Sequence, residues 1–112
     1  MTNEEKNLIL TPAINFVGCS GFTGSVPRLN FSGICLNDAE SGVRTSDHEM
    51  VSGFPALLTV GASWDKGLAY LRGQRLGEEF KAKGVNVALG PVVGPLGRVV
   101  KGGRNWEGTK PS

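Results

Sequence analysis

The sequence predicts an α/β fold, and three adjoining features carry that expectation. Residues 63–83 place Trp64, Leu68, Leu71, Leu76 and Phe80 at spacings of three to five, which makes one apolar face of a helix. Gly84 follows where a helix commonly ends in the left-handed conformation, and residues 85–89 (Val-Asn-Val-Ala-Leu) read as a buried strand. Behind that run lies GPVVGPLGRVVKGGRNWEG, residues 90–108, a glycine-rich polar loop. Helix, glycine, strand and loop make one αβ step of a parallel sheet. A polar loop at the carboxyl end of a buried strand is where α/β enzymes place substrate contacts.

The remaining elements follow in chain order. Residues 2–10 suit a short helix, because Thr2 and Glu5 have the spacing of a capping box. Residues 11–30 carry Gly18, Gly21, Gly24 and Pro27 and read as loop. Residues 31–36 form a candidate short strand ending at Asn37-Asp38, and residues 55–60 a second one; the stretch between them is polar and irregular. In the long helix Ser63 can serve as the cap, while Lys81 and Lys83 suit its negative end. Gly67, Gly73 and Gly77 each weaken it by about 1 kcal/mol relative to alanine. Gly73 and Gly77 lie one turn apart, which predicts close packing against a neighbour.

Composition excludes several classes. The chain has 112 residues, 39% of them hydrophobic and 20% charged, which suits a single folded domain. A net charge of +2 is too small to argue for nucleic acid. No apolar run reaches the roughly 20 residues of a membrane helix. The first ten residues carry acids where a secretory signal carries bases, so no signal peptide is visible. With His48 the only histidine, no metal set and no Ser/His/Asp set can be assembled. Cys19 and Cys35 are either a pair of reduced thiols or a bridge closing a loop of about 16 residues, worth roughly 3 kcal/mol. Asn30-Phe31-Ser32 is a glycosylation sequon.

The glycine-rich loop first prompts phosphate binding, but it has neither Gly-Lys-Ser/Thr opening a helix nor the G-x-G-x-x-G spacing. Arg104-Asn105-Trp106-Glu107 instead combines a planar cation, an amide, an aromatic face and a carboxylate, the mixture that sugars require. The alternative is a surface loop in which Trp106 plugs the core and Arg104 pairs with Glu107. Asp38 and Arg44, six residues apart, form a second polar pair, read either as a site or as a turn cap beside a solvated arginine. Glycoside hydrolysis needs two carboxylates, and no local pattern selects such a pair from the ten acids here.

Taken in order, these segments resemble the start of fungal-type β-glucosidases of glycoside hydrolase family three. The resemblance runs through Cys19-Ser20-Gly21, Val26-Pro27-Arg28-Leu29, Cys35-Leu36-Asn37-Asp38, Gly42-Val43-Arg44, Phe54-Pro55-Ala56 and Ala62-Ser63-Trp64-Asp65. It continues through Lys83-Gly84-Val85-Asn86-Val87, GPLGR and GGRNWEG, and even the opening MTNEEKNL is similar to the helix that begins the family's catalytic domain.

The resemblance implies that residues 1–112 are a partial N-terminal barrel domain, the first few βα steps of a TIM-like (β/α) barrel that does not close. A complete barrel takes about 250 residues, so poor autonomous stability is expected. It implies a retaining β-glucosidase in the full-length parent, acting without a cofactor on β-glucosides or cello-oligosaccharides and secreted from the cell. It implies that Asp38, Arg44 and Arg104 grip the terminal glucose, and that Cys19 and Cys35 are bridged as in secreted members. The family's nucleophilic aspartate and acid/base glutamate belong to later segments, so no catalytic residue is expected here and the chain alone should be inactive. Ala39-Glu40-Ser41 departs from the family's usual Gly or Ser followed by Pro-Leu, which bears on the aim of Arg44. The final Thr109-Lys110-Pro111-Ser112 departs from the family's continuation and suggests a truncated product. Two other functions stay open: a non-catalytic sugar-binding or structural fragment, and a related hydrolase acting on β-xylosides or amino sugars.

Overall fold

The computed structural model describes residues 1–11, 18–38, 40–45, 49–92, 98, 100–104 and 107. It is a mixed α/β arrangement around an open sheet. The elements are α1 (Asn3–Leu10), β1 (Gly21–Phe22), β2 (Cys35–Asn37), α2 (Leu57–Ala62), α3 (Lys66–Ala82) and β3 (Val87–Ala88). The sheet has the order β1-β2-β3, with β1 antiparallel and β3 parallel to β2. The β2–α3–β3 crossover is therefore the expected βα step, and the sheet is unclosed, as in the first part of a barrel.

α1 begins where the sequence indicates. The Thr2 hydroxyl accepts from Glu5 N–H, and the Glu5 carboxylate accepts from Thr2 N–H, so two orphan donors are satisfied reciprocally. The same carboxylate takes a forked bond from Arg28, with Nε and Nη2 each 2.8 Å from an oxygen. Gly24 N–H donates to Leu8 O at 2.9 Å, an approach only glycine allows, since a Cβ at Gly24 would lie 2.1 Å from that oxygen. Residues 11–30, expected to be loop, also contain β1 and a 3-10 turn over Pro27–Leu29, closed by a bridge between Val26 and Phe31.

Several expectations need correction. Residues 55–60 are not a strand: Pro55 is followed by the helix Leu57–Ala62, started by the Ala56 carbonyl accepting from Val60 N–H. The long helix starts later than residue 63. Its cap is Asp65, whose Oδ1 accepts from Gly67 and Leu68 N–H at 2.8 and 3.1 Å, while Ser63 closes α2 by donating to Val60 O. Trp64 lies between the helices in a left-handed conformation (φ 56°) and is 74% exposed, so it is not part of an apolar helix face. Of that predicted face only Phe80 is buried, and Leu68 and Leu71 are nearly half exposed. Gly73 and Gly77 meet nothing within 4 Å and border an open apolar groove of about 340 Å³ between α3 and β3 instead of a packed neighbour. The strand expected at residues 31–36 is displaced to Cys35–Asn37, because Phe31 pairs back with Val26. The run at residues 85–89 forms a parallel strand only over Val87–Ala88, and both residues are exposed because β3 is the sheet's edge. Gly84 does end α3 as expected, at φ 76°.

The buried hydrophobic residues among those described are Val26, Cys35, Val43, Val60 and Phe80. The radius of gyration is 17.0 Å, against about 13 Å for a compact chain of this length. Packing against α3 is supplemented by a polar strut. Arg72, 7% exposed, donates through Nε to Pro55 O at 2.8 Å and through Nη2 to Glu40 O, and its guanidinium lies 5.9 Å from the Phe54 ring centroid. Burial lowers its pKa, and the nearby Glu40 charge opposes that shift.

Candidate functional site

The site is built outward from the carboxyl end of β2. Asn37, the last residue of the strand, is fully buried. Its Nδ2 donates to Gly18 O and to Arg44 O, both at 2.6 Å, and its Oδ1 accepts from Ser20 N–H at 3.3 Å and Asp38 N–H at 2.9 Å. Its carbonyl accepts from Leu89 N–H at 2.8 Å, so one side chain and one peptide tie together three segments at the end of a parallel strand pair. A fully satisfied buried amide of this kind fixes local geometry, since any displacement leaves orphaned polar groups.

Asp38 comes next, off the strand end. Its Oδ2 accepts from Ser20 Oγ at 2.8 Å and from Arg44 Nη1 at 3.3 Å, while its carbonyl accepts from Arg44 N–H at 3.0 Å. The backbone of Arg44 is thus held on both sides, by Asp38 and Asn37, although its side chain remains 72% exposed. The substituted stretch around Glu40 does not leave this loop unanchored. Glu40 Oε1 accepts from Val92 N–H at 2.6 Å, its carbonyl meets Arg72, and Phe54 N–H donates to Ser41 O at 2.8 Å.

Arg104 is held by Glu107. Nε lies 2.8 Å from Oε1 and Nη2 2.7 Å from Oε2. The Glu107 side chain is 10% exposed and that of Arg104 is 74% exposed, so a sheltered carboxylate presents an open cation. Oε2 receives no aligned hydrogen bond among the described residues; its charge is met by Nη2. The hydrogen bond and charge of Glu107 raise the Arg104 pKa, and the charges of Asp38 and Glu40 add to the effect. Asn105, Trp106 and Gly108 of the GGRNWEG segment, residues 94–97 of the GPLGR segment, and His48 lie outside the described residues.

Cys19 and Cys35 are joined, with their Cα atoms 5.6 Å apart. Asn30 is exposed in a left-handed turn, and Ser32 of its sequon is exposed too. Among the described residues there is no cluster of His, Cys, Asp and Glu able to hold a metal ion, and no helix is long and apolar enough to cross a membrane.

Ser20, Asn37, Glu40 and Arg72 were not singled out by motif reasoning. Asn37 and Ser20 appear in the sequence only as neighbours of a recognisable Asp and Cys. Their contacts join positions 17 to 18 residues apart, which no local pattern encodes. An arginine on an otherwise apolar helix stripe was the available hint for Arg72.

No protein-family model matches the chain. Among curated proteins it is 54% identical to Beta-glucosidase 1 of Aspergillus aculeatus over 112 residues, covering 99% of this chain and 13% of that protein. It is 62% identical to Beta-glucosidase cel3A of Pyricularia oryzae over 90 residues, 80% of this chain and 12% of that one. Among solved structures it superimposes on a glycoside hydrolase family 3 β-glucosidase of Neurospora crassa with a TM-score of 0.75 at 49% identity, covering 96% of this chain and 13% of that structure. For the β-D-glucoside glucohydrolase of Trichoderma reesei the TM-score is 0.77 at 36% identity, covering 99% and 16%. The chain thus spans between 12% and 16% of the length of these relatives.

Proposed function

The chain matches, in sequence and in structure, the fungal β-glucosidases of glycoside hydrolase family 3, over most of its own length and a small N-terminal part of theirs, and on that premise we propose that it carries part of a glucose-binding subsite. In this reading residues 1–112 are a partial N-terminal barrel domain of a retaining enzyme that removes terminal β-D-glucosyl residues. Asp38 accepts hydrogen bonds from sugar hydroxyls, and Arg44 and Arg104 donate to them. The observation that carries the reading is the arrangement at the carboxyl end of β2. There a carboxylate and an arginine pair across 3.3 Å, and a second arginine, Arg104, is presented open on a sheltered carboxylate. Multidentate hydroxyl recognition needs donors and acceptors held before the ligand arrives, and both backbones here are pinned by hydrogen bonds.

The relatives are named as β-glucosidases, and in this reading the substrate of the whole protein is a β-glucoside, a cello-oligosaccharide included. Retaining hydrolysis needs a nucleophilic carboxylate and an acid/base carboxylate about 5–5.5 Å apart. We place neither of these carboxylates within residues 1–112, which in this reading bind without turnover. The Cys19–Cys35 disulfide supports secretion of the parent, since such bonds persist in oxidising compartments. Asn30 is then open to glycosylation.

The test is to titrate the purified chain with glucose by calorimetry and to assay it with an aryl β-glucoside and an aryl β-xyloside. Glucose binding that is lost in Asp38→Ala and Arg104→Ala, without turnover, is the expected result. Turnover that co-purifies with the chain would refute the division between grip and chemistry. Absence of glucose binding would remove the subsite reading and leave a structural fragment.

A further inference from the structure

The two donors to the Asp38 carboxylate share one oxygen. Ser20 Oγ and Arg44 Nη1 both approach Oδ2, and no described group donates to Oδ1. Ser20 has a single hydroxyl proton and two acceptors within reach, Asp38 Oδ2 at 2.8 Å and Asn37 Oδ1 at 2.9 Å. The Asn37 oxygen already receives the N–H groups of Ser20 and Asp38, which occupy its two lone pairs. A hydroxyl bond to an ionised carboxylate is also stronger than one to a neutral amide. The proton therefore belongs to Asp38. The Asp38 N–H lies 3.4 Å from the same Ser20 oxygen, so the two residues face each other through both main chain and side chain.

Ser20 is itself fastened from two directions. Its neighbour Cys19 is bonded to Cys35 at the start of β2, and Gly18 O on the other side is held by Asn37 Nδ2. The hydroxyl is thus presented from a short segment anchored twice to the strand whose end carries Asp38.

We propose that Ser20 is a positioning residue for sugar recognition: with Arg44 it fixes Oδ2 of Asp38 and so reserves Oδ1 for a hydroxyl of the sugar. This rests on the reading that Asp38 grips glucose. Ser20 touches the carboxylate and acts through it; removing its hydroxyl frees the carboxylate to rotate and to turn Oδ1 away.

The 112-residue chain and its Ser20→Ala, Ser20→Thr and Asp38→Ala variants are titrated with glucose, and the carboxyl 13C resonance of Asp38 is followed in the first three without sugar. Ser20→Ala is expected to weaken glucose binding about tenfold, the effect of one hydrogen bond, and to move the carboxyl resonance. Ser20→Thr, which keeps a hydroxyl, is expected to restore most of both. Thermal unfolding of each variant separates loss of fold from loss of aim, and Ser20→Thr provides the comparison if Ser20→Ala is destabilised. Ser20→Ala binding like the unaltered chain, while Asp38→Ala fails to bind, would overturn the positioning role and leave the glucose reading standing. Failure of the unaltered chain to bind glucose, or unchanged binding by Asp38→Ala, would overturn the glucose reading and this proposal with it.

Discussion

Glu107 holds Arg104 by a two-point contact in which the acid is sheltered and the base is open, with Nε–Oε1 at 2.8 Å and Nη2–Oε2 at 2.7 Å. The asymmetry of burial predicts an asymmetry of mutation. Arg104→Ala strands a carboxylate away from water, whereas Glu107→Gln keeps the shape and leaves the arginine solvated. Urea denaturation should show the larger loss of midpoint in Arg104→Ala. Equal losses, or a larger one in Glu107→Gln, would contradict this account of the pair.

Arg72 satisfies the carbonyls of Pro55 and Glu40 from within α3, the helix that precedes β3 in the chain. Arg72→Met preserves much of the stem's packing but removes both donors. Hydrogen bonds from charged groups contribute about 1.5–3 kcal/mol each. Arg72→Met is therefore expected to destabilise the chain by more than about 1.5 kcal/mol, measured by denaturant unfolding, and to speed amide exchange at the N–H groups of residues 40–44. A change within experimental error would show that water replaces the guanidinium freely.

Asp65 caps α3 through two N–H groups, whereas Ser63 Oγ accepts from the N–H of Asp65 itself and donates to Val60 O. Asp65→Ala is expected to cost about 1 kcal/mol and to lower helical circular dichroism. Asp65→Asn, which retains the acceptor, should recover most of the loss. Recovery by neither Asn nor Ser at position 65 would remove the cap as the explanation.

The Glu5–Arg28 fork gives the chain a defined acid response. The hydrogen bonds from Arg28, then from Thr2 N–H, hold the Glu5 carboxyl at about 2, against 4.5 for the free group. A depressed carboxyl contributes stability that is fully present above its unfolded value and disappears as pH falls through the folded one. The strap between α1 and the 3-10 turn should therefore weaken between pH 4.5 and about 2. The unfolding midpoint of the unaltered chain should fall more steeply over that window than that of Glu5→Gln. Parallel curves would refute the linkage.

Local chemistry was legible where it was decisive on its own. Thr2 and Glu5 satisfy each other across three residues, and Gly84 supplies the one conformation that ends α3, so both could be read directly. The pairing of Arg104 with Glu107, one of two readings of the loop, is likewise an i,i+3 relationship. Residues 55–60 misled because a short apolar run has no period that separates strand from helix. Burial misled more: residues 85–89 have the composition of a covered strand, yet β3 lies at an edge and no described element covers it. At the site, Asp38, Arg44 and Arg104 were nameable because their segments resemble a family. The residues that aim them, Ser20 and Asn37, act across contacts that exist only once β2 and the Cys19 segment have come together.

The position of β3 also bears on how this chain is handled. Val87 and Ala88 present one side of their main chain to β2, and among the described residues no strand pairs with their outer side. Such an edge recruits whatever is nearby, including another molecule of the same chain. Stability then depends on mass action as well as on sequence, because association with a neighbour shifts the folding equilibrium. A melting temperature taken at one concentration describes the solution in the tube as much as the polypeptide. Only a dilution series, extrapolated to isolated chains, isolates what the 112 residues sustain by themselves.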